Sequence, residues 1–533
     1  MDNTPPAKAL PFTHALTAFR AAAGDPARVA LTYFDASISY GALDAASDAL
    51  ASRLHRDGVR PGDRLALYMQ NTPGFVIGLL AGWKLGAVPV PVNPMNRERE
   101  LTMLFADCTP AAMLCQDTLY QGVVHAMPGK PAIIVTSSAR GWQARNDPRL
   151  FPPASDAPMA VPGTADLSTV IAVATPFAAH PEAPDDVAFI VYTSGTTGVP
   201  KGSVNTHRAA MHSANTMCSV LGLHPGEPIL GLAPLFHITG LVCQVLSAFA
   251  LAAPLILSYR FEPGVMLDAI TEHRPGFGTG AITAYVAMMN HRDAKPDSFD
   301  PIRLVYSGGA PVPASVVDQF AARFGKLIRN GFGMTETNAP VIITPPDEPS
   351  RVDPASQALS IGKAMPGLTI TVLAEDGSPA PPGQVGELAF TSPSLTSGYW
   401  NRPEETEAAL SADGFRSGDV GFVDADGWVF LIDRKKDMIS ASGYKVWPRD
   451  VEDVLYMHPA VREAAVVGVP DDYRGETVKA VVSLKPGHTV QPSELTTFCR
   501  ERMAAYKCPR LVEIVEELPK TSTGKIMRRA LRG

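Results

Sequence analysis

Cysteine is scarce in this chain of 533 residues: there are six, Cys108, Cys115, Cys218, Cys243, Cys499 and Cys508, and no two share a C-x-x-C spacing. Neither a zinc site nor a disulfide framework is indicated, and a reducing, cytoplasmic setting fits. Basic charge is not in surplus either. The 46 Lys and Arg are outnumbered by 53 Asp and Glu, for a net charge of −7, which argues against a general nucleic-acid binder. The start, Met1-Asp2-Asn3-Thr4-Pro5-Pro6, has no basic stretch leading into an apolar one, so no secretory leader is expected. There is no fixed-period repeat and no Gly-x-x-x-x-Gly-Lys-Ser/Thr loop of the Walker type. One uncharged run, 240–259, has the length of a membrane span, yet Gln244, Ser247, Pro254 and Ser258 interrupt it. It reads as a buried helix over 241–251 followed by a buried strand over 254–258, and no transmembrane segment is expected.

What the chain does have is a polar, glycine-bearing segment directly behind an apolar run. After 187–191 come Tyr192, Thr193, Ser194, Gly195, Thr196, Thr197, Gly198, Val199, Pro200, Lys201 and Gly202. Glycine lets a backbone approach phosphate oxygens closely. Hydroxyls and exposed N–H groups donate to those oxygens, and lysine adds a cation. The segment suits a loop that wraps a polyphosphate.

Hydrophobic residues make up 46% and charged ones 19%, as in folded globular chains. The length allows about three or four folding units. Helix-like and strand-like patterns alternate early: 40–55 helical, 64–68 a strand, 75–85 helical, 87–92 a strand. That alternation predicts an α/β fold of layered sheets and helices, with a largely parallel sheet. The region 148–184, rich in Pro, Ala and Asp, reads as a surface excursion. Past Gly414 a hairpin is expected, with strands over 420–423 and 428–432 around the turn Asp424-Ala425-Asp426-Gly427. The mixed charges Asp433-Arg434-Lys435-Lys436-Asp437 read as an exposed linker. Beyond them lies an α/β unit of usual small-domain size. Its helices are expected over 449–457 and 493–505, the second with Ser493 as a candidate cap. Strands are expected over 463–469 and 479–484, and a basic last helix over 526–532.

Seven separated segments then fall in one order. They are the loop at 193–201; Pro234-Leu235-Phe236-His237-Ile238-Thr239-Gly240; Ser307-Gly308-Gly309-Ala310-Pro311; Gly331-Phe332-Gly333-Met334-Thr335-Glu336; Ser417-Gly418-Asp419; the stretch from Asp433-Arg434 to Gly443-Tyr444; and Pro519-Lys520-Thr521-Ser522-Thr523-Gly524-Lys525. In these segments, and over essentially its whole length, the chain resembles the acyl-adenylate-forming superfamily. That superfamily holds acyl-CoA ligases, peptide-synthetase adenylation domains and firefly luciferase. The resemblance implies a large multi-subdomain adenylation domain over 1–433 and a small mobile α+β domain over 434–533. It implies an enzyme that uses ATP and Mg²⁺ to turn a carboxylate into an acyl-AMP, releasing pyrophosphate, and then passes the acyl group to CoA. The first step brings anions together, so cations and oriented donors are needed to stabilise it.

By that resemblance, Thr193, Ser194, Gly195, Thr196, Thr197, Gly198 and Lys201 hold the β- and γ-phosphates. Thr335 contacts the α-phosphate and Glu336 ligates Mg²⁺. Gly309, Ala310 and Pro311 wall the adenine, and Phe332 stacks on it, where many relatives carry tyrosine. Asp419 and Arg434 take the ribose. Lys525 bridges the acyl carboxylate and the α-phosphate. Lys436 is the pivot of the small domain, and Gly443 lines the pantetheine tunnel. His237 gates the acyl carboxylate and completes a catalytic set with Thr335, Glu336 and Lys525. Some relatives carry lysines where this chain has Ser440 and Ser442, so no role passes to those positions.

The acid is read from the segment around His237. Amino-acid-activating relatives have an aspartate there to pair the substrate ammonium, and a buried ammonium without one is costly, so an α-amino acid is not expected. Ile238, Leu241, Val242 and Val245, with Ala281, Ile282 and Ala284, form an apolar wall. The stretch 433–444 most resembles bacterial medium- and long-chain fatty acyl-CoA ligases. A fatty acid is therefore the expected substrate and an aryl acid the alternative. CoA is the expected acceptor, with a carrier-protein thiol as the alternative, and a homodimer is left open.

Overall fold

The computed structural model describes residues 10–151, 161–193, 200–354, 358–411, 414–441, 444–471, 475–521 and 524–532. The alternating patterns of the first third become alternating elements. Tyr40–Asp57 is a helix whose cap, Ser39, accepts from the Ala42 N–H, and Gly58 ends it in the left-handed conformation at φ 113°. Arg64–Tyr68 is a strand, Pro73–Leu85 a helix buried along its whole length, and Val88–Val92 the next strand. Among the described residues these strands join Ala112–Gln116, Ile133–Ser137 and Ala165–Asp166 in a five-stranded parallel sheet, with Val88–Val92 at one edge.

That edge strand reads Val-Pro-Val-Pro-Val. The Val88 N–H turns inward, donating to the Asp63 carbonyl at 2.7 Å. N–H groups alternate in direction along a strand, so Pro89 and Pro91 occupy the outward positions, where a missing donor breaks no ladder. The strand Val187–Thr193 lies against this edge and pairs antiparallel with Lys201–Thr206.

A second sheet has fourteen strands among the described residues. Its centre is parallel: Val29–Tyr33, Leu255–Leu257, Ile229–Leu230, Phe277–Gly280, Leu304–Gly308 and Ile328–Met334 run one way. Leu304 and Tyr306 point into one apolar cluster and Val305 into another, as in a strand buried on both faces. After Met334 the sheet becomes antiparallel, through Ala339–Ile343, Gly362–Ala364 and the hairpin of Gly414–Val423 with Trp428–Arg434. The parallel sheet expected from the early alternation is the five-stranded one, whereas this second sheet is parallel only at its centre. Short connections suffice for antiparallel neighbours, whereas each parallel pair needs a crossover.

The uncharged run 240–259 is buried. It forms a π-helix over Gly240–Leu246, an α-helix over Ser247–Ala250 and the strand Leu255–Leu257. Among the described residues no helix is long and apolar enough to cross a membrane. The final hundred residues build a further sheet from Ile439–Ala441, Tyr444–Val446, Val461–Asp471, Gly475–Leu484 and Leu511–Val515. The helices Pro448–Tyr456 and Pro492–Arg500 pack beside it over Val451, Leu455, Val466, Val482 and Leu495.

Three local expectations change. The helix expected over 493–505 is shorter, and its cap is Gln491, not Ser493; Pro492 takes the first helical position, where an absent N–H costs nothing. The basic last helix is only a 3₁₀ turn, Arg528–Leu531. The charged knot at 433–437 is not a plain exposed linker, because Asp433 is buried at 5% exposure. It accepts from the Arg449 N–H at 3.0 Å and from Arg528 Nη1 at 2.8 Å, and buried carboxylates need such partners.

Candidate active site

Four neighbouring parallel strands deliver the sequence motifs, each beyond its carboxyl end. Ile229–Leu230 leads to His237, Phe277–Gly280 to Ala281 and Thr283, Leu304–Gly308 to Gly309, Ala310 and Pro311, and Ile328–Met334 to Thr335 and Glu336. The ladder fixes the strands while the loops at this end remain free to carry chemistry, which is where open α/β sheets bind ligands. Ala310 is half-buried, while Gly309 and Pro311 are exposed; Phe332 is half-buried, with its ring 5.9 Å from that of Phe390.

The antiparallel hairpin contributes the pair expected at the ribose. Asp419 and Arg434 are register partners across the two strands, and Arg434 Nε donates to Asp419 Oδ1 at 3.2 Å. Ser417 Oγ accepts from the Asp419 N–H and donates to the Leu388 carbonyl, fixing the bend. Asp419 is 2% exposed. Burial raises its pKa and Arg434 pulls it back. The carboxylate keeps acceptor capacity for two hydroxyls.

Glu336 sits in a 3₁₀ turn, Thr335–Thr337, that is closed by the Met334 N–H donating to Thr337 Oγ1 at 2.9 Å. Its Oε1 accepts from the Tyr399 hydroxyl at 2.8 Å. Burial, and then Glu336, push the Tyr399 hydroxyl above its ordinary pKa, so it stays a donor. Lys201 Nζ lies 5.4 Å from the centre of the Tyr399 ring. Tyr399 thus links the phosphate-loop lysine to the expected metal ligand, a role that no sequence motif announces. A single carboxylate with one oxygen engaged fits Mg²⁺, a hard cation that keeps several waters and takes phosphate oxygens. Among the described residues no cluster of three carboxylates, histidines or cysteines competes for it.

Thr193 and Lys201 face each other as register partners at the mouth of their hairpin. Ser194, Gly195, Thr196, Thr197 and Gly198 lie outside the described residues, as does Gly443. Lys436 is exposed, in the short turn Lys435–Asp437.

Lys525 reaches the same space from the far end of the chain. Gly309, at φ 80°, leaves room for it: a Cβ there would stand 2.8 Å from Lys525 Cε. Thr283 Oγ1 donates to the Gly524 carbonyl at 3.0 Å, and the Lys525 N–H donates to Thr521 Oγ1 at 3.1 Å. Burial first, and the charge of Arg434 second, bring the Lys525 pKa down to about 8, while Asp419 and Glu336 act in the opposite sense. Three residues later Arg528 pins the tail. It donates to Asp433 at 2.8 Å and to both carboxylate oxygens of Glu452, at 3.0 and 2.7 Å.

His237 lies within reach of this lysine's field. The Thr239 N–H donates to His237 Nδ1 at 3.3 Å, which places the proton of a neutral ring on Nε2. Burial, with Lys525 adding to it, lowers the His237 pKa to about 3. The ring is neutral near pH 7 and offers one N–H.

The chain is similar to known proteins along nearly its whole length. The family model described as AMP-binding enzyme matches residues 18–400, and that of the AMP-binding enzyme C-terminal domain matches 450–525. The chain is 33% identical over 527 residues to a long-chain-fatty-acid–CoA ligase of Bacillus subtilis (strain 168), covering 96% of this chain and 92% of that protein. It is 33% identical over 516 residues to a feruloyl-CoA synthase of an Amycolatopsis species, covering 96% and 97%. A benzoate CoA ligase from Burkholderia xenovorans LB400 superposes with a TM-score of 0.84 at 28% identity, over 98% of this chain and 100% of the other. Matched along both its parts, this chain belongs to the AMP-binding enzyme family, within the acyl-adenylate-forming superfamily.

Proposed function

We propose that this protein joins a carboxylic acid to CoA in two steps. The acid's carboxylate oxygen attacks the α-phosphorus of ATP, and the bond to the pyrophosphate oxygen breaks. The thiol of CoA then attacks the acyl carbon, and AMP leaves. The observation that carries this reading is the seating of Lys525 against Gly309, in the field of the Arg434–Asp419 hairpin pair and of Glu336, which places distant segments of the chain at one point.

Each side chain has work that follows from its surroundings. Lys525 brings a cation to the point where the carboxylate and the α-phosphate would repel each other, in a partly desolvated site where charge acts strongly. Arg434 and Asp419 take the ribose, and Thr335 the α-phosphate. Lys201 and the loop from Thr193 hold the outer phosphates. Glu336, oriented by Tyr399, would hold Mg²⁺, which when bound spreads the phosphate charge. Neutral His237 donates through Nε2 toward the acyl carboxylate. We place the boundary of a mobile C-terminal domain at 433/434, with Lys436 as its pivot and Gly443 beside the incoming thiol. The acceptor is CoA rather than a carrier protein, and the acid carries a largely apolar acyl group, as the buried Ile238, Leu241, Val242 and Val245 suit.

The test separates the half-reactions. Pyrophosphate release and acyl-CoA formation are measured over a pool of fatty, aryl and amino acids. Lys525→Ala should lose most adenylation while still forming thioester from supplied acyl-AMP. Equal loss of both half-reactions contradicts the assignment of Lys525, and no product with any acid contradicts the ligase reading.

A further inference from the structure

The acyl wall is not wholly apolar. Gln244 stands in the π-helix Gly240–Leu246, seven residues past His237, with 0% exposure. Helices of this kind are uncommon and gather at functional sites. Its neighbours Leu241, Val242 and Val245 are hydrophobic, and an amide buried among such groups is costly unless each polar atom is paired. One half is paired: Nε2 donates to the Thr279 carbonyl at 3.2 Å, which fixes the orientation of the amide. The other half is not. Gln244 Oε1 is buried and accepts no hydrogen bond from the described residues.

The position of this acceptor gives it a meaning. Thr279 is the penultimate residue of Phe277–Gly280. The helix that follows, Ile282–Met289, places its cap Ala281 and its first-turn Thr283 against Gly524, next to Lys525. The orphan oxygen is therefore anchored at the strand end that carries the acyl-transfer centre, on the element that His237 introduces. We infer that Gln244 Oε1 reads a hydroxyl group on an otherwise apolar acid, taking the hydrogen bond it lacks from the substrate. The inference rests on the ligase reading of this site. A neutral amide oxygen suits a hydroxyl donor, phenolic or aliphatic, and cannot neutralise an ammonium. A site that hydrogen-bonds a substrate hydroxyl rejects the analogue lacking it, because its own polar group is then left unpaired.

Pairs of acids differing by one hydroxyl test this: para-hydroxycinnamate against cinnamate, and a medium-chain fatty acid with and without a terminal hydroxyl. For each, kcat/KM for acyl-CoA formation is measured with the wild type and with Gln244→Met, which keeps the side-chain length and removes both polar atoms. The wild type should favour the hydroxylated member of one pair by about tenfold or more, and that pair identifies the hydroxyl as phenolic or aliphatic. Gln244→Met should lose the preference while still activating the plain acid. The wild-type ratios stand as a test even if the variant fails to fold. Ratios of one or below in both pairs, with acyl-CoA formed, mean that water satisfies Oε1; they overturn the inference and leave the ligase reading intact. A preference that survives Gln244→Met also overturns it. No pyrophosphate and no acyl-CoA from any acid overturns both.

Discussion

Raising the pH should switch off the first half-reaction and leave the second running. Lys525 is set beside Arg434, and burial followed by that guanidinium brings its pKa from 10.5 down to about 8. The gap corresponds to ~3 kcal/mol in favour of the neutral amine in the seated tail. A lysine with a lowered pKa gives up its proton as pH rises, so the site holds the cation below about 8 and loses it above. For adenylation, kcat/KM for ATP reports groups of the free enzyme. It should be level near neutrality and fall ~10-fold per pH unit beyond 8, or ~30-fold by pH 9.5. Thioester formation from supplied acyl-AMP should not follow that limb, and it gains from thiolate as pH rises. Lys525→Arg, charged throughout the range, should remove the limb whatever activity it retains. Stability moves the opposite way. The folded pKa lies below the unfolded one, so the charge penalty is full below 8 and fades between 8 and 10.5, where stability rises with pH. An adenylation profile level to about pH 10 in the wild type, or the same limb in Lys525→Arg, would refute the reasoning.

Two further outcomes follow from the same tail. Gly309→Ala puts a Cβ 2.8 Å from Lys525 Cε at a φ of 80°, so pyrophosphate release should fall ~10-fold or more while thioester formation from acyl-AMP is spared; unchanged pyrophosphate release would mean that Lys525 is not seated there. Arg528→Ala leaves Asp433 and Glu452 buried without their cation, a loss of ~3 kcal/mol by the usual cost of breaking a buried pair. Thermal unfolding should fall by several degrees at pH 7 and by less in acid, because burial raises the Glu452 pKa and the group protonates first; an equal fall at both pH values would count against the network.

The motif residues are legible in the sequence because their chemistry is local: glycines for close approach, hydroxyls and lysine for phosphate, a carboxylate for ribose. The early helices and strands are legible as well, Arg64–Tyr68 to the residue, because short apolar runs there are bounded by turn residues such as Pro61, Gly62 and Gly86. Pairings across long separations leave no such trace. Arg528 and Asp433 are 95 residues apart, so Arg528 reads as part of a basic helix and Asp433 as part of a linker until the fold brings them together. Tyr399 lies between motifs in a segment without periodicity, and only its hydroxyl against Glu336 reveals it. Gln244 reads as a polar interruption of an apolar run, and its orphaned oxygen exists only in three dimensions. The antiparallel half of the large sheet is legible only in part: the hairpin around Asp424–Gly427 is expected, whereas Gly362–Ala364 and Thr369–Leu373, short or only partly buried, leave no pattern.

The two outward prolines at the edge of the small parallel sheet govern how the phosphate-loop hairpin is seated. On that flank Pro89 and Pro91 can present carbonyls but no N–H, so the sheet cannot extend a full ladder onto Val187–Thr193. Sliding or tilting the hairpin along this edge breaks no donor from either proline; what seats it is the packing of Ile190 with Val88 and Val90 and two side-chain hydrogen bonds, from Trp83 Nε1 to the Ala188 carbonyl at 2.7 Å and from the Tyr192 hydroxyl to Asp107 Oδ2 at 2.5 Å. The hairpin is thus held against the sheet by side chains rather than by a shared backbone ladder, so its position depends on those side chains and not on the sheet's register. Were the hairpin lifted away, the same prolines would deny a second chain the template that an open strand edge offers.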